Sequence, residues 1–404
     1  MKKTEAVMER PGSAISLVTM KALVYHGPGR RAWEDKPRPC VEKATDAVVR
    51  ITTTTICGTD LHILKGDVPT VTDGRILGHE GVGIVEETGT GVSRVKKGDK
   101  VLISCITSCG TCPFCKKGMY SHCNDGGWIL GHLIDGTQAE YVRIPHADNS
   151  LYVLPSSADE AAMAMLSDIL PTGFECGVIN GQVKPGDTVA IVGAGPIGLA
   201  ALLTAQFYSP SEIVMIDPDE NRLKVAESLG ATRTVKAVGE AAVSAVQALT
   251  HGAGVDVAIE AVGVPATFDV CQNIVGPGGR IANIGVHGKS VELHLEKLWS
   301  HNITLTTRLG RHRDHAHAPQ ARPDGEAPAA GARDPPLPAG GGDEGLRHVL
   351  ERGQGARPEG DPSQPVTPRP PVVRRPDPRA AHREVRHRRI SSTRPRRARW
   401  NASG

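Results

Sequence analysis

"DTVAIVGAGPIGLAAL" spans residues 187–202, and its reading decides the fold. Thr188 to Val192 form a short, mostly apolar run of the kind found in strands buried on both faces. A G-x-G-x-x-G pattern follows at Gly193, Gly195 and Gly198, with Pro196 opening an apolar helical stretch. Glycines at this spacing mean little alone. Between a strand and a helix they let the backbone approach a pyrophosphate at the helix N-terminus. A second strand, "EIVMID", ends at Asp217, about twenty residues after the glycines, where a ribose-binding acid is expected. A carboxylate there accepts both ribose hydroxyls and repels a 2′-phosphate, which predicts NAD over NADP. Arg222 is a candidate adenosine-side contact. Further strands read at "VDVAIEAVG", "GRIANIG" and "ITLTT", separated by helical or glycine-rich connections. That alternation predicts a doubly wound parallel sheet, an α/β class of fold.

Outside this segment the 404 residues divide unevenly. Residues 20–309 have the apolar runs and regular glycines of globular protein. From Gly310 onward there is no lysine, cysteine, methionine, phenylalanine or tyrosine, while arginine and proline crowd in. The net charge of +3 therefore describes no folded surface, and it gives no reason to expect nucleic-acid or membrane binding by the globular part. No apolar run is long enough to span a bilayer. Lys2 and Lys3 are followed by Glu5, Glu9, Arg10 and Pro11, which interrupt any signal-peptide core. "MKALVYHGPG" at Met20 reads as a first strand, so residues 1–19 are expected to be an extension or the product of a mis-set start. Of nine cysteines, five fall within residues 105–123. Without a signal segment, that clustering favours metal binding in a reducing cytoplasm over disulfides.

"CGTCPFCKKGMYSHC" sets Cys109, Cys112, Cys115 and Cys123 at C-x2-C-x2-C-x7-C spacing. Such short gaps let four thiolates converge on one zinc ion. A closed tetrahedral shell leaves no position for a reactant, so this site is expected to be structural. Cys40, Cys105, Cys176 and Cys271 fit no such spacing and read as buried free thiols.

Two further stretches, "TICGTDLHILKGD" and "ILGHEGVGIVEETGTGV", carry a resemblance. The second contains G-H-E-x2-G-x5-G-x2-V from Gly78 through His79, Glu80, Gly83 and Gly89 to Val92. Together with the cysteine lobe and the nucleotide motif, residues 20–309 resemble the zinc-dependent medium-chain alcohol dehydrogenases. The resemblance implies a GroES-like catalytic domain over residues 20–170, with the zinc lobe at 105–123, and a Rossmann NAD-binding domain over 171–309. It implies that Cys57 and His79 ligate a catalytic zinc, and "MLSDILPTGFECG" resembles the segment of the third ligand, Asp168. Glu80 is an alternative ligand or polarises the shell from behind. One thiolate, one imidazole and one carboxylate would leave a fourth position for water or alcohol. The family pattern also implies that Thr59 begins a proton path, that His62 ends it, and that Thr172 lies under the nicotinamide.

The expected reaction is reversible oxidation of small primary or secondary alcohols to aldehydes or ketones with NAD, in a cytoplasmic homodimer or homotetramer. Polyol, formaldehyde and threonine dehydrogenases are alternatives within the family. Zinc-free quinone reductases share the fold but not the ligand set. From another class, a relic dehydrogenase with a basic nucleic-acid-binding tail rests wholly on residues after Gly310, where stacking aromatics are nearly absent. The composition of 310–404 is that of a disordered, basic, proline-rich tail. Read one base later with permitted codons, its start can become VDTVTTPMLLKLVRTGKLQPRALVTHRF, an amphipathic helix running into a strand. Later segments can become MKAYDTFSNAA and KALALKVI, which resemble the family's closing elements. A frameshift near Gly310 is therefore expected, with loss of activity if the 404-residue form is genuine.

Overall fold

A computed structural model describes residues 18–310. The expected amino-terminal extension, apart from its last two residues, lies outside the described residues. So do the arginine- and proline-rich segment after Gly310 and its displaced-frame reading.

Fourteen strands form three sheets among the described residues. The first eight are β1 (Thr19–Tyr25), β2 (Arg31–Pro37), β3 (Ala47–Thr54), β4 (Arg75–Ile76), β5 (Gly81–Thr88), β6 (Lys100–Ile103), β7 (Tyr141–Ile144) and β8 (Leu151–Val153). They make a three-stranded sheet, β2-β1-β4, and a five-stranded sheet, β7-β3-β5-β6-β8, both antiparallel. Ala47, Val49, Val85, Val101, Ile103, Val142 and Ile144 turn inward from the larger sheet and fill one core. Between strands, long connections carry the cysteine lobe and the helix Gly58–Lys65.

The remaining strands are β9 (Thr188–Val192), β10 (Glu212–Ile216), β11 (Arg233–Val235), β12 (Val255–Glu260), β13 (Val275–Asn283) and β14 (Thr304–Thr307). They form one parallel sheet in the order β11-β10-β9-β12-β13-β14. Alternation along the strands divides its two faces. Val189, Ile191, Ile213, Met215, Val257 and Ile259 pack with Leu199, Leu202, Leu223 and Ala226 of the helices Pro196–Ala205 and Glu220–Ser228. Ala190, Val192, Val214, Ile216, Ala258 and Ile281 pack on the other face with Ala242, Val246, Phe268 and Cys271 of Gly239–Leu249 and Pro265–Ile274. Both faces are covered, as a parallel sheet requires, because its strands are apolar throughout. The strand order reverses between β9 and β12, and ligands of such sheets bind beyond the carboxyl ends of strands at that point.

The residue 170/171 boundary falls inside a helical run, Ile169–Thr172 continued by a π-helix, Gly173–Ile179. Of the four cysteines expected to be buried free thiols, one lies at the surface. Cys105, Cys176 and Cys271 are buried, but Cys40 is exposed because it follows β2 in a surface connection.

Candidate active site and metal centres

Cys57 caps the helix Gly58–Lys65. Its backbone N–H donates to Asp60 Oδ2 at 2.9 Å, and Gly66 closes the helix at φ +87°. This short, doubly closed helix fixes the thiol beside His79, which lies just before β5. His79 Nε2 stands 3.4 Å from Cys57 Sγ and 3.2 Å from Asp168 Oδ2. The three ligand atoms lie within 4.8 Å of one another. A sulfur, a nitrogen and an oxygen thus converge from three separate parts of the chain.

Glu80 does not join that convergence. Its Oε2 accepts the Thr55 hydroxyl, while Oε1 is buried with no hydrogen-bond partner among the described residues. Burial, then the charge of Asp168, pushes its pKa up to about 7. Burial also raises Asp60 and the Cys57 thiol. For His79, burial acts downward, but Cys57 and Asp168 outweigh it and hold the imidazole well above its usual range. One imidazole thus faces three carboxylates and a thiol in a largely buried space. Unpaired buried charge is costly, so a cation among these groups fits them.

The cysteine lobe has its own convergence. Cys109, Cys112, Cys115 and Cys123 also bring their sulfurs within 4.8 Å. Backbone N–H groups point at the sulfurs: Cys112 N to Cys109 Sγ at 3.4 Å, Cys115 N to Cys112 Sγ at 3.4 Å, and Cys109 N to Cys123 Sγ at 3.2 Å. Burial acts upward on Cys109, but hydrogen bonds from Thr111 and Cys112 bring its thiol down to about 6. Four converging sulfurs, three of them already served by these N–H donors, suit a closed zinc shell.

Thr59 is half-buried on the first turn of the same short helix as Cys57. His62 lies one turn further and its Nδ1 is 2.8 Å from Asp67 Oδ2. The His62 side chain is 17% exposed. Asp67 approaches the nucleotide-binding half: a Cβ on Gly288 would come within 2.6 Å of its Cγ. Thr172 donates its hydroxyl to Asp168 Oδ1 at 2.5 Å.

At the nucleotide loop the three glycines do different things. Gly193 has φ +107°, and a Cβ there would meet Val262 at 2.5 Å. A Cβ on Gly198 would stand 1.8 Å from Gly193 O, so only glycine lets this helix close on the strand. Gly195 faces open space, with nothing within 4 Å, and Pro196 begins the helix Pro196–Ala205 behind it. Asp217 is buried at the end of β10, where Oδ2 accepts Ala194 N–H and Oδ1 accepts Asp219 N–H, each at 2.8 Å. Arg222 Nη1 is 3.7 Å from Asp217 Oδ2.

Two participants were not legible in the sequence. Trp128 stands edge-on to His79 with ring centroids 6.3 Å apart and stacks on His132 at 4.3 Å. Glu260, at the end of β12, accepts Val262 N–H, Gly263 N–H and the Thr267 hydroxyl at 3.0, 2.9 and 2.6 Å. It thereby sets the turn against which Gly193 packs. The scarcity of aromatic residues, 3% of the chain, was the one hint that Trp128 mattered.

A parallel nucleotide sheet, a β-rich partner and a three-donor site together define a dinucleotide-dependent oxidoreductase. The alcohol dehydrogenase GroES-like domain family matches residues 43–156, and the zinc-binding dehydrogenase family matches 196–321. An alcohol dehydrogenase of Cupriavidus necator is 38% identical over 297 residues, covering 68% of this chain and 79% of that protein. Zinc dependent alcohol dehydrogenase 2 from Streptococcus pneumonia, solved in apo form, is 58% identical with a TM-score of 0.70, covering 74% and 85% of the two chains. A protein from Sinorhizobium meliloti 1021, solved bound to NADP, is 28% identical with a TM-score of 0.65, covering 74% and 86%. The chain belongs to the zinc-dependent medium-chain alcohol dehydrogenase family, whose members are oxidoreductases using zinc and a nicotinamide cofactor. Among the described residues no helix is long and apolar enough to cross a membrane.

Proposed function

We propose that the protein oxidises small primary or secondary alcohols reversibly with NAD. A catalytic zinc is held by Cys57, His79 and Asp168, and a structural zinc by Cys109, Cys112, Cys115 and Cys123. The observation that carries this reading is the convergence of three unlike donors from distant parts of the chain within 4.8 Å. A zinc ion held there would lower the pKa of a bound alcohol, and NAD would be the hydride acceptor.

The chain's own residues do the rest. The Thr59 hydroxyl takes the alcohol proton and passes it to His62. Asp67, 2.8 Å from Nδ1, orients the ring so that Nε2 is the accepting atom. Trp128 walls the space beside His79 and excludes water from it. Gly195 leaves room for the pyrophosphate at the N-terminus of Pro196–Ala205. Asp217, fixed by two backbone N–H groups, accepts the ribose hydroxyls and disfavours a 2′-phosphate. A homo-oligomer is supported by β14, the edge strand of the parallel sheet among the described residues, and by Leu295 and Trp299 shortly before it in sequence, 58% and 75% exposed.

The test is the rate of reduced-nucleotide formation by the zinc-loaded protein, with NAD and NADP in parallel. The panel comprises small primary and secondary alcohols, a polyol, formaldehyde and threonine. Turnover of simple alcohols with NAD at least about tenfold better than with NADP is expected, and Asp217→Ala should narrow that ratio. No turnover of any simple alcohol, or a preference for NADP, would refute the reading.

A further inference from the structure

The third ligand in the proposed catalytic shell is an aspartate, and that choice creates a problem the chain must solve. A carboxylate has two equivalent oxygens and a broad, roughly two-fold terminal torsion. It can bind a metal through one oxygen or through both. Cys57 and His79 each offer one donor of fixed direction; Asp168 does not.

Two residues grip it from opposite sides. Thr172 lies four positions on, one helical turn away. Its backbone N–H reaches Asp168 O at 2.8 Å and its hydroxyl reaches Asp168 Oδ1 at 2.5 Å. Cys105 follows the end of β6, and its backbone N–H donates to Ser167 O at 3.2 Å. Its thiol donates to the same Asp168 Oδ1 at 3.4 Å. Ser167 is itself held by Gly81 N–H at 3.1 Å. The other oxygen, Oδ2, is the one 3.2 Å from His79 Nε2. Each gripping residue thus uses a backbone group to fix the peptide and a side-chain group to fix the same carboxylate oxygen.

We infer that Thr172 and Cys105 are positioning residues that clamp Oδ1 of Asp168 and present Oδ2 alone to the metal. This rests on the reading of Cys57, His79 and Asp168 as the catalytic zinc shell. It also gives the Thr172 hydroxyl a task separate from any contact of that residue with the nicotinamide. Outer groups of this kind commonly set metal affinity by about 10–100-fold.

The experiment uses the full-length chain loaded with zinc. Affinity at the mixed-donor site is read by chelator competition, and coordination geometry by the visible spectrum after cobalt(II) replacement there. Zinc retained by the four-cysteine cluster reports that each variant is folded. Thr172→Val and Cys105→Ala are expected to loosen the mixed-donor site by about 10–100-fold and to shift the cobalt bands. Thr172→Ser and Cys105→Ser, which keep a donor, should stay near the parent. Asp168→Ala should lose the site. If Asp168→Ala loses zinc while Thr172→Val and Cys105→Ala match the parent in affinity and spectrum, the clamp is wrong and the shell stands. If Thr172→Ser behaves like Thr172→Val, the hydroxyl is not the operative group and the clamp is equally wrong. If Asp168→Ala keeps zinc at parental affinity, the shell reading fails and the clamp with it.

Discussion

Two glycines of the nucleotide loop stand three residues apart, yet substituting each with alanine should damage different properties. At Gly198 a Cβ would lie 1.8 Å from Gly193 O, against about 3.4 Å for ordinary contact. Helix and loop must therefore part by about 1.6 Å, and neither side can yield by a rotamer change because the clash is with backbone. Overpacking of this kind costs about 1–3 kcal/mol. At about 2–4 °C per kcal/mol, the melting temperature should fall by about 2–12 °C. A displacement above 1 Å also moves the helix N-terminus, so kcat/KM for the cofactor should drop by about 100-fold. Gly195 has φ −74°, which alanine adopts readily, and a Cβ there meets nothing within 4 Å. Gly195→Ala should therefore leave stability within about 0.5 kcal/mol of the parent. The added methyl would occupy the approach to the proposed pyrophosphate site. Loss of one charge-assisted hydrogen bond, about 1.5–3 kcal/mol, corresponds to cofactor binding about 10–100-fold weaker. Thermal melts with and without NAD, together with cofactor titration, measure both quantities. Equal destabilisation by the two substitutions, or unaltered NAD binding in Gly195→Ala, would refute the division of roles.

The two proposed zinc sites should separate by mutation. Cys112→Ser should lose one zinc per chain and lower the melting temperature, whereas Cys57→Ser should lose the other zinc and alcohol oxidation with little change in melting; metal analysis beside a thermal melt decides this. Trp128→Ala removes the aromatic wall beside His79. It should shift the ratio of kcat/KM for a bulky over a small secondary alcohol by about 10–100-fold toward the bulky one, read from initial rates on the two substrates.

The parallel sheet was legible because β9, β10 and β12 are apolar runs followed by glycine or acid at their carboxyl ends. β11 was not, since Arg233–Val235 is three residues long and two of them are polar. The short spacing of Cys109, Cys112 and Cys115 could be read locally, because neighbours in sequence are neighbours in space. The mixed-donor site needed the family resemblance: Cys57, His79 and Asp168 are far apart along the chain, and no periodicity brings them together. Adjacency to His79 marked Glu80 as an alternative ligand or a group behind the shell; that its Oε2 accepts the Thr55 hydroxyl is a tertiary contact that no spacing announces. His62–Asp67 is local and could have been noticed as a histidine with an acid five residues on. Trp128 against His79, and Cys105 against Asp168, are tertiary contacts between distant parts of the chain, which no spacing or periodicity marks.

The two convergent donor sets ask different things of the metal supply around them. Four thiolates are uniformly soft, and they favour zinc and other thiophilic ions over magnesium or manganese by ligand type. Cys57, His79 and Asp168 run from soft through borderline to hard, so ligand type alone discriminates weakly among first-row divalent ions. Selection there falls to shape and to which ion is available. The proposed lobe site should therefore keep its zinc through changes in cellular supply, while the proposed reactive centre exchanges, so that the identity of its ion reports the metals currently available to the chain.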